Sequence, residues 1–138
     1  MHPVSGQLIE PGRIYVAPPD HHMLINKDRI QLWHGPKENQ HRPAANALFR
    51  SAAVAYGKRV VGVVLSGLLD DGSTGLWWVK EFGGMAVVQD PQQAAFSSMP
   101  ENAIEHVAVD HVLPIEEIAT LLRSVMADDE PVRKVRRR

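Results

Sequence analysis

The 138-residue chain has no cysteine, which removes disulfide scaffolding, thiolate metal sites and a thiol nucleophile together and suits a reducing cytoplasm. No apolar run approaches the roughly 18 residues that a membrane span needs, and no secretory apolar core precedes Pro18 and Pro19. Aromatic residues are few, and Trp33, Trp77 and Trp78 lie too far from the basic residues to build a stacking platform for nucleic acid. No G-x-G-x-x-G or Walker-type loop follows a strand, so nucleotide binding has no motif behind it. A G-x-S-x-G serine elbow is also absent; Gly72-Ser73-Thr74-Gly75 is a partial look-alike. These absences leave a cytoplasmic chain without membrane insertion, nucleic-acid binding or a nucleotide.

What is present is ordinary globular composition, 44% hydrophobic and 22% charged, and a length that suits one domain. The net charge of −1 conceals an asymmetry, because Arg133, Lys134, Arg136, Arg137 and Arg138 crowd the last six positions. The body is correspondingly acidic, and residues 131–138 read as a solvated, disordered end.

Short β-rich runs at Ile14–Ala17, Met23–Ile25 and Arg29–Trp33, the last two around Asn26-Lys27-Asp28, predict an extended, hairpin-containing opening. Pro43 sits where a first helical residue is favoured; Leu48, Phe49, Ala52, Ala53 and Tyr56 then share one face, and Gly57 ends the helix. The nearly unbroken apolar run Val60–Leu65 reads as a strand covered on both faces. Further strands are expected at Met85–Gln89 and Val107–Val109, with helices over Gly72–Phe82, Glu101–Glu105 and Pro114–Met126. Alternating strand and helix predict an α/β fold with a doubly wound, mainly parallel sheet. Only about three such strands are present, so the reading also expects that some of the sheet precedes residue 1.

The chemistry gathers after Val60–Leu65, where Asp70 and Asp71 stand between a strand and a helix. Ligands of open α/β sheets bind beyond the carboxyl ends of the strands, so a carboxylate there is placed to orient an imidazole. The same position suits an acid that only caps the helix. Both readings stand on the local pattern. Asp20, His21 and His22 do not make a metal site, because adjacent side chains on an extended segment point in alternating directions. A histidine lining a cleft is the better reading of that loop.

Taken together, PGRIYVAPPDHHM, HRPAANALFRSAA, VVGVVLSGLLDDGSTGL, VVQDPQQAAFSSMPENAI and VDHVLPIEEIA, in this order and spacing, resemble the C-terminal two-thirds of the CheB-type protein-glutamate methylesterase domain, over about residues 11–122. The resemblance implies a three-layer Rossmann-like fold lacking its first strands. It also implies hydrolysis of glutamate methyl esters on chemotaxis receptors by a serine, histidine and aspartate triad, with no cofactor and no metal. The triad acid corresponds to Asp71, with Gly67, Leu68, Asp70 and Gly72 beside it, and Met99-Pro100 and His22 correspond to cleft positions. Asn46 stands where the family commonly has an acid, and Ser98 where glycine usually precedes Met-Pro. The triad serine and histidine correspond to nothing in this sequence. The expectation is a carboxylic ester hydrolase domain that is silent alone, with a methylated chemoreceptor and a segment supplying serine and histidine as partners. The alternative is a non-catalytic binding or regulatory module, or a truncated fragment of a signalling protein.

Overall fold

The computed structural model describes residues 1–38, 42–67 and 72–128; the basic terminus and the Leu68–Asp71 stretch lie outside them. Strands β1 (His22–Asn26) and β2 (Arg29–Trp33) pair antiparallel around Lys27-Asp28, with Asn26 opposite Arg29. Lys27 takes a φ of 57°, the left-handed turn that a two-residue hairpin connection favours. Helix α1 (Ala45–Tyr56) lies against β1, and the two are stitched by the Ile25 N–H donating to Ser51 Oγ at 2.9 Å.

The chain then runs through β3 (Val61–Val64), α2 (Ser73–Glu81), β4 (Met85–Gln89), α3 (Ser98–His106), β5 (His111–Leu113) and α4 (Ile115–Asp128). The three later strands form one parallel sheet in the order β3-β4-β5, with Gly62 beside Ala86 and Val88 beside Val112. Strand alternation sends Val64, Ala86 and Val88 to one face, where they join Leu76, Ala103 and Val107 in the main core. Val87 and Gln89 point to the opposite face, and α4, which packs on β4 and β5, contributes the buried Ile118. This is the expected Rossmann-like α/β arrangement with helices on both sides of a parallel sheet. Among the described residues no strand pairs with the outer edge of β3, whose Val61 and Val63 are half-buried.

Helix α1 crosses α2 so closely that a Cβ on Gly75 would stand 2.7 Å from Phe49 Cβ and 2.9 Å from Asn46 Cα. Only glycine admits that approach. Among the described residues no helix is long and apolar enough to cross a membrane.

Three expectations need correction. Ile14–Ala17 is not a strand; Ile14 is 81% exposed, and residues 6–9 instead run beside β2 through the Leu8–Arg29 bridge and the Gly6 N–H to Ile30 O bond of 2.7 Å. The last strand is His111–Leu113 rather than Val107–Val109. Val107 is the residue that closes α3, its N–H bonded to Ala103 O and its side chain in the core. The register is set by Asp110, whose carboxylate accepts the Ala86 N–H at 2.8 Å and whose own N–H donates to Ala86 O at 2.9 Å. Finally, α1 begins at Ala45 instead of Pro43. Alanine at the N-cap has no side-chain acceptor, and the Ala44 N–H reaches across to His22 Nδ1 at 3.3 Å.

Candidate active site

Strand β3 ends at Val64, and the backbone just after it is held from β4 and from the segment that follows β4. The Ser66 N–H donates to Gln89 Oε1 at 2.8 Å; Gln89 is the last residue of β4 and is 4% exposed. Its amide nitrogen donates onward to Gln93 Oε1 at 3.2 Å, so both ends of a buried side chain are bonded. The Ser66 hydroxyl accepts the Phe96 N–H at 3.0 Å and donates to Phe96 O at 3.3 Å. The Gly67 N–H donates to the same carbonyl at 2.9 Å, and the Met99 N–H donates to Gly67 O at 3.1 Å. A Cβ on Gly67 would overlap Met99 Sδ, so the glycine lets the start of α3 close on the β3 end.

The other side of the acid segment is held just as firmly. Gly72 precedes α2 with a φ of 109° and, lacking a side chain, cannot cap the helix. Asn46 of α1, 4% exposed, supplies the acceptor: its Oδ1 takes the Gly72 N–H at 3.1 Å and the Gly75 N–H at 2.7 Å. Two amides that a helix start leaves unpaired are satisfied by a neighbouring helix. Gly67 and Gly72 are thus two anchored points on either side of residues 68–71. Leu68, Asp70 and Asp71 themselves lie outside the described residues.

Of the other site candidates, Gly67, Met99 and the fully buried Pro100 come together at this end of the sheet, and Gly72 lies at the start of α2. His22 does not face a cleft. It is fully buried, its Nε2 2.7 Å from Pro36 O and its Nδ1 facing the Ala44 N–H. A carbonyl only accepts, so Nε2 carries the proton and Nδ1 is the acceptor. Both ring nitrogens are therefore spent, Nε2 on the loop that follows β2 and Nδ1 on the residue before α1. Ser73 opens α2 with its Oγ buried and without a hydrogen-bond partner among the described residues, so no imidazole there activates it.

Sequence reasoning missed Ser66, Gln89 and Phe96, and registered Asn46 only as a departure from an expected acid. Gln89 had a signal, being a polar residue that closes the apolar run Met85-Ala86-Val87-Val88. Ser66 and Phe96 had none, since their partnership spans 30 residues.

The candidate site is the carboxyl end of a parallel α/β sheet, where Gly67 after β3 and Gly72 before α2 bracket the two carboxylates in sequence. That places the chain among α/β domains whose chemistry sits beyond their strand ends. The chain belongs to the CheB methylesterase family, whose model matches residues 2–122. The crystal structure of the Thermotoga maritima CheB methylesterase catalytic domain superposes with a TM-score of 0.84 at 30% identity, covering 90% of this chain and 68% of that one. A Leptospira interrogans relative is 46% identical over 114 residues, 82% of this chain and 59% of its own length. The protein-glutamate methylesterase/protein-glutamine glutaminase 4 of Geobacter metallireducens is 40% identical over 123 residues, 88% of this chain and 35% of its own length. The chain therefore spans about three-fifths, or less, of the length of these two curated relatives.

Proposed function

We propose that this chain is the acid-bearing part of a protein-glutamate methylesterase domain, with Asp71 orienting the imidazole of a triad whose serine and histidine come from a segment outside these 138 residues. The observation that supports the reading is the pair of hydrogen-bonded residues that bracket the acid-bearing stretch, Gly67 just after β3 and Gly72 at the start of α2. An orienting carboxylate acts only if the elements on either side of it are held, and Gln89, Phe96 and Asn46 hold Ser66, Gly67, Gly72 and Gly75 there.

In the complete site the serine hydroxyl attacks the ester carbonyl of a glutamate side chain, and the histidine takes its proton. Methanol leaves with that proton, and water then releases glutamate from the acyl-serine by the same steps in reverse. Asp71 holds the imidazole in the tautomer that can accept and stabilises the imidazolium that forms. The protein partner is a methylated chemoreceptor. Alone, the chain lacks base and nucleophile and is silent.

The test joins the chain to the N-terminal strands of the Thermotoga maritima domain and measures methanol release from an esterified receptor fragment. The joined protein hydrolyses the ester, the 138-residue chain alone does not, and Asp71→Asn lowers turnover by about 10⁴-fold. Equal turnover by the chain alone, or by the Asp71→Asn form of the joined protein, would overturn the reading. Receptor binding without turnover in the joined protein would favour a regulatory module.

A further inference from the structure

The open end of the hairpin brings two histidines together. His22 and Trp33 are the last paired residues of β1 and β2, so His21 and His34 stand one step beyond them on opposite strands. Alternation turns His22 into the core and His21 out of it. The adjacent histidines therefore share no site, and His21 instead meets a residue from across the hairpin. The rings of His21 and His34 lie with their centres 5.3 Å apart and their planes at 64°. Each is oriented by a backbone carbonyl, His21 Nδ1 lying 2.9 Å from Pro19 O and His34 Nδ1 lying 2.9 Å from Asp20 O. A carbonyl only accepts, so both Nδ1 atoms carry the proton and both Nε2 atoms keep a lone pair. Among the described residues no group hydrogen-bonds either Nε2.

We propose that His21 and His34 form a two-imidazole site for a borderline divalent metal ion of the zinc type, with water in the remaining positions. The site is independent of the proposed function. Imidazole nitrogen suits zinc, copper and nickel, whereas magnesium and calcium take oxygen ligands. A histidine that ligates a metal characteristically donates its other ring N–H to a carbonyl or carboxylate, which fixes tautomer and ring orientation, and both rings here already make that bond. Two imidazoles bound through Nε2 at about 2.0–2.1 Å to one tetrahedral zinc have ring centres about 5 Å apart, close to the observed separation. An edge contact between rings explains the distance but not the shared tautomer. Asp20 is not a third ligand, because its carboxylate is held by Arg42 at 2.7 Å and lies 3.7 Å from His34 Nδ1, the protonated side of the ring. Among the described residues no cluster of three histidine or acidic side chains completes a cage, so the metal is held by two protein ligands and exchanges readily. Bound there, it joins the turn before β1 to the exit of β2 and closes the end of the hairpin opposite Lys27-Asp28.

The experiment titrates zinc into the 138-residue chain by calorimetry and follows thermal unfolding with and without the metal. The parent binds zinc, and its unfolding midpoint rises because the ion meets paired ligands only in the folded hairpin. His21→Ala and His34→Ala each weaken binding by about tenfold or more, and the double variant stays within about threefold of the singles, because losing either ring leaves an isolated imidazole with no second ligand held beside it. His106→Ala, on α3, binds as the parent does. Excess magnesium does not compete. Comparing each variant with and without zinc separates a lost ligand from a change in folding. No zinc binding by the parent, parent-like affinity in either single variant, or a second loss of about tenfold in the double variant overturns the site.

Discussion

Asn46→Ala is the sharpest test of how the site is held. The Asn46 Oδ1 is the acceptor for the Gly72 and Gly75 amides, at 3.1 and 2.7 Å, and the side chain is 4% exposed. Alanine leaves both donors without that acceptor in a place that water does not fill freely. An unsatisfied buried donor costs about 1–3 kcal/mol, and removal of a helix N-cap costs about 0.5–2 kcal/mol. These descriptions overlap, because the two amides are the cap, so the expected loss is about 1–3 kcal/mol rather than their sum. Against a total of about 5–15 kcal/mol for a domain, that is a large fraction. Urea unfolding followed by circular dichroism reads it as a fall in midpoint at constant slope. Asn46→Asp keeps the accepting oxygen and sets a negative charge at the positive end of α2, where the dipole favours it. It should therefore recover most of what alanine loses. A loss below about 1 kcal/mol for alanine would show that the amides find other acceptors at little expense. Equal losses for alanine and aspartate would show that the acceptor is not what matters.

Three further outcomes follow from the same geometry. Gly75→Ala should destabilise the chain by about 1–3 kcal/mol in thermal unfolding, because overpacking against Phe49 and Asn46 exceeds the roughly 1 kcal/mol that alanine gains as a helix former; a stabilised variant would mean that the two helices part easily. Gln89→Leu removes the acceptor of the Ser66 N–H, so hydrogen exchange at Ser66 should accelerate at least tenfold, while Gln89→Glu, which keeps an oxygen there, should protect it; unchanged protection in the leucine variant refutes the clamp. For Asp110, burial raises the carboxyl pKa, but the Ala86 N–H and the Lys80 ammonium at 3.0 Å outweigh it and hold the group below its ordinary 3.8. A depressed folded value means the contribution is present above the unfolded pKa and is lost as pH falls through the folded one, so acid unfolding below about pH 4 should be shallower in Asp110→Asn. Parallel acid titrations of stability for parent and variant would refute that assignment.

What could be read in the chain without a structure was whatever each stretch decides for itself. The hairpin strands, β3, β4 and the bodies of the helices have periodicities that local pattern captures, and β2 and β4 fall at the expected residues. The failures share one cause, which is a partner far away in sequence. The start of α1 depends on His22, 22 residues before Ala44, and β5 begins where Asp110 meets Ala86, 24 residues earlier. Ile14–Ala17 has strand composition but lacks the neighbour that makes a strand, because residues 6–9 occupy the place beside β2. Composition describes a residue's preference, whereas a cap or a register describes a meeting.

The Gly72-Ser73-Thr74-Gly75 stretch shows what that distinction does to a functional reading. In sequence it is a near-miss of a serine elbow, with Ser73 as the residue of interest. In the structure the serine hydroxyl is buried and unpartnered among the described residues, and the glycines carry the meaning. Gly72 and Gly75 turn their amides toward one asparagine oxygen, and Gly75 is also the position without a Cβ that lets α1 come near enough for Asn46 to reach them. Capping and close crossing are therefore one feature: enlarging Gly75 should weaken the Asn46 bonds, and removing Asn46 should loosen the crossing. The two substitutions should then be non-additive, with the double variant Asn46→Ala/Gly75→Ala losing less than the sum of the singles by at least about 0.5 kcal/mol in a double-mutant cycle. Strict additivity would separate the cap from the crossing. It would also remove the reason for regarding the start of α2, and with it the downstream anchor of the Asp71 segment, as held by α1.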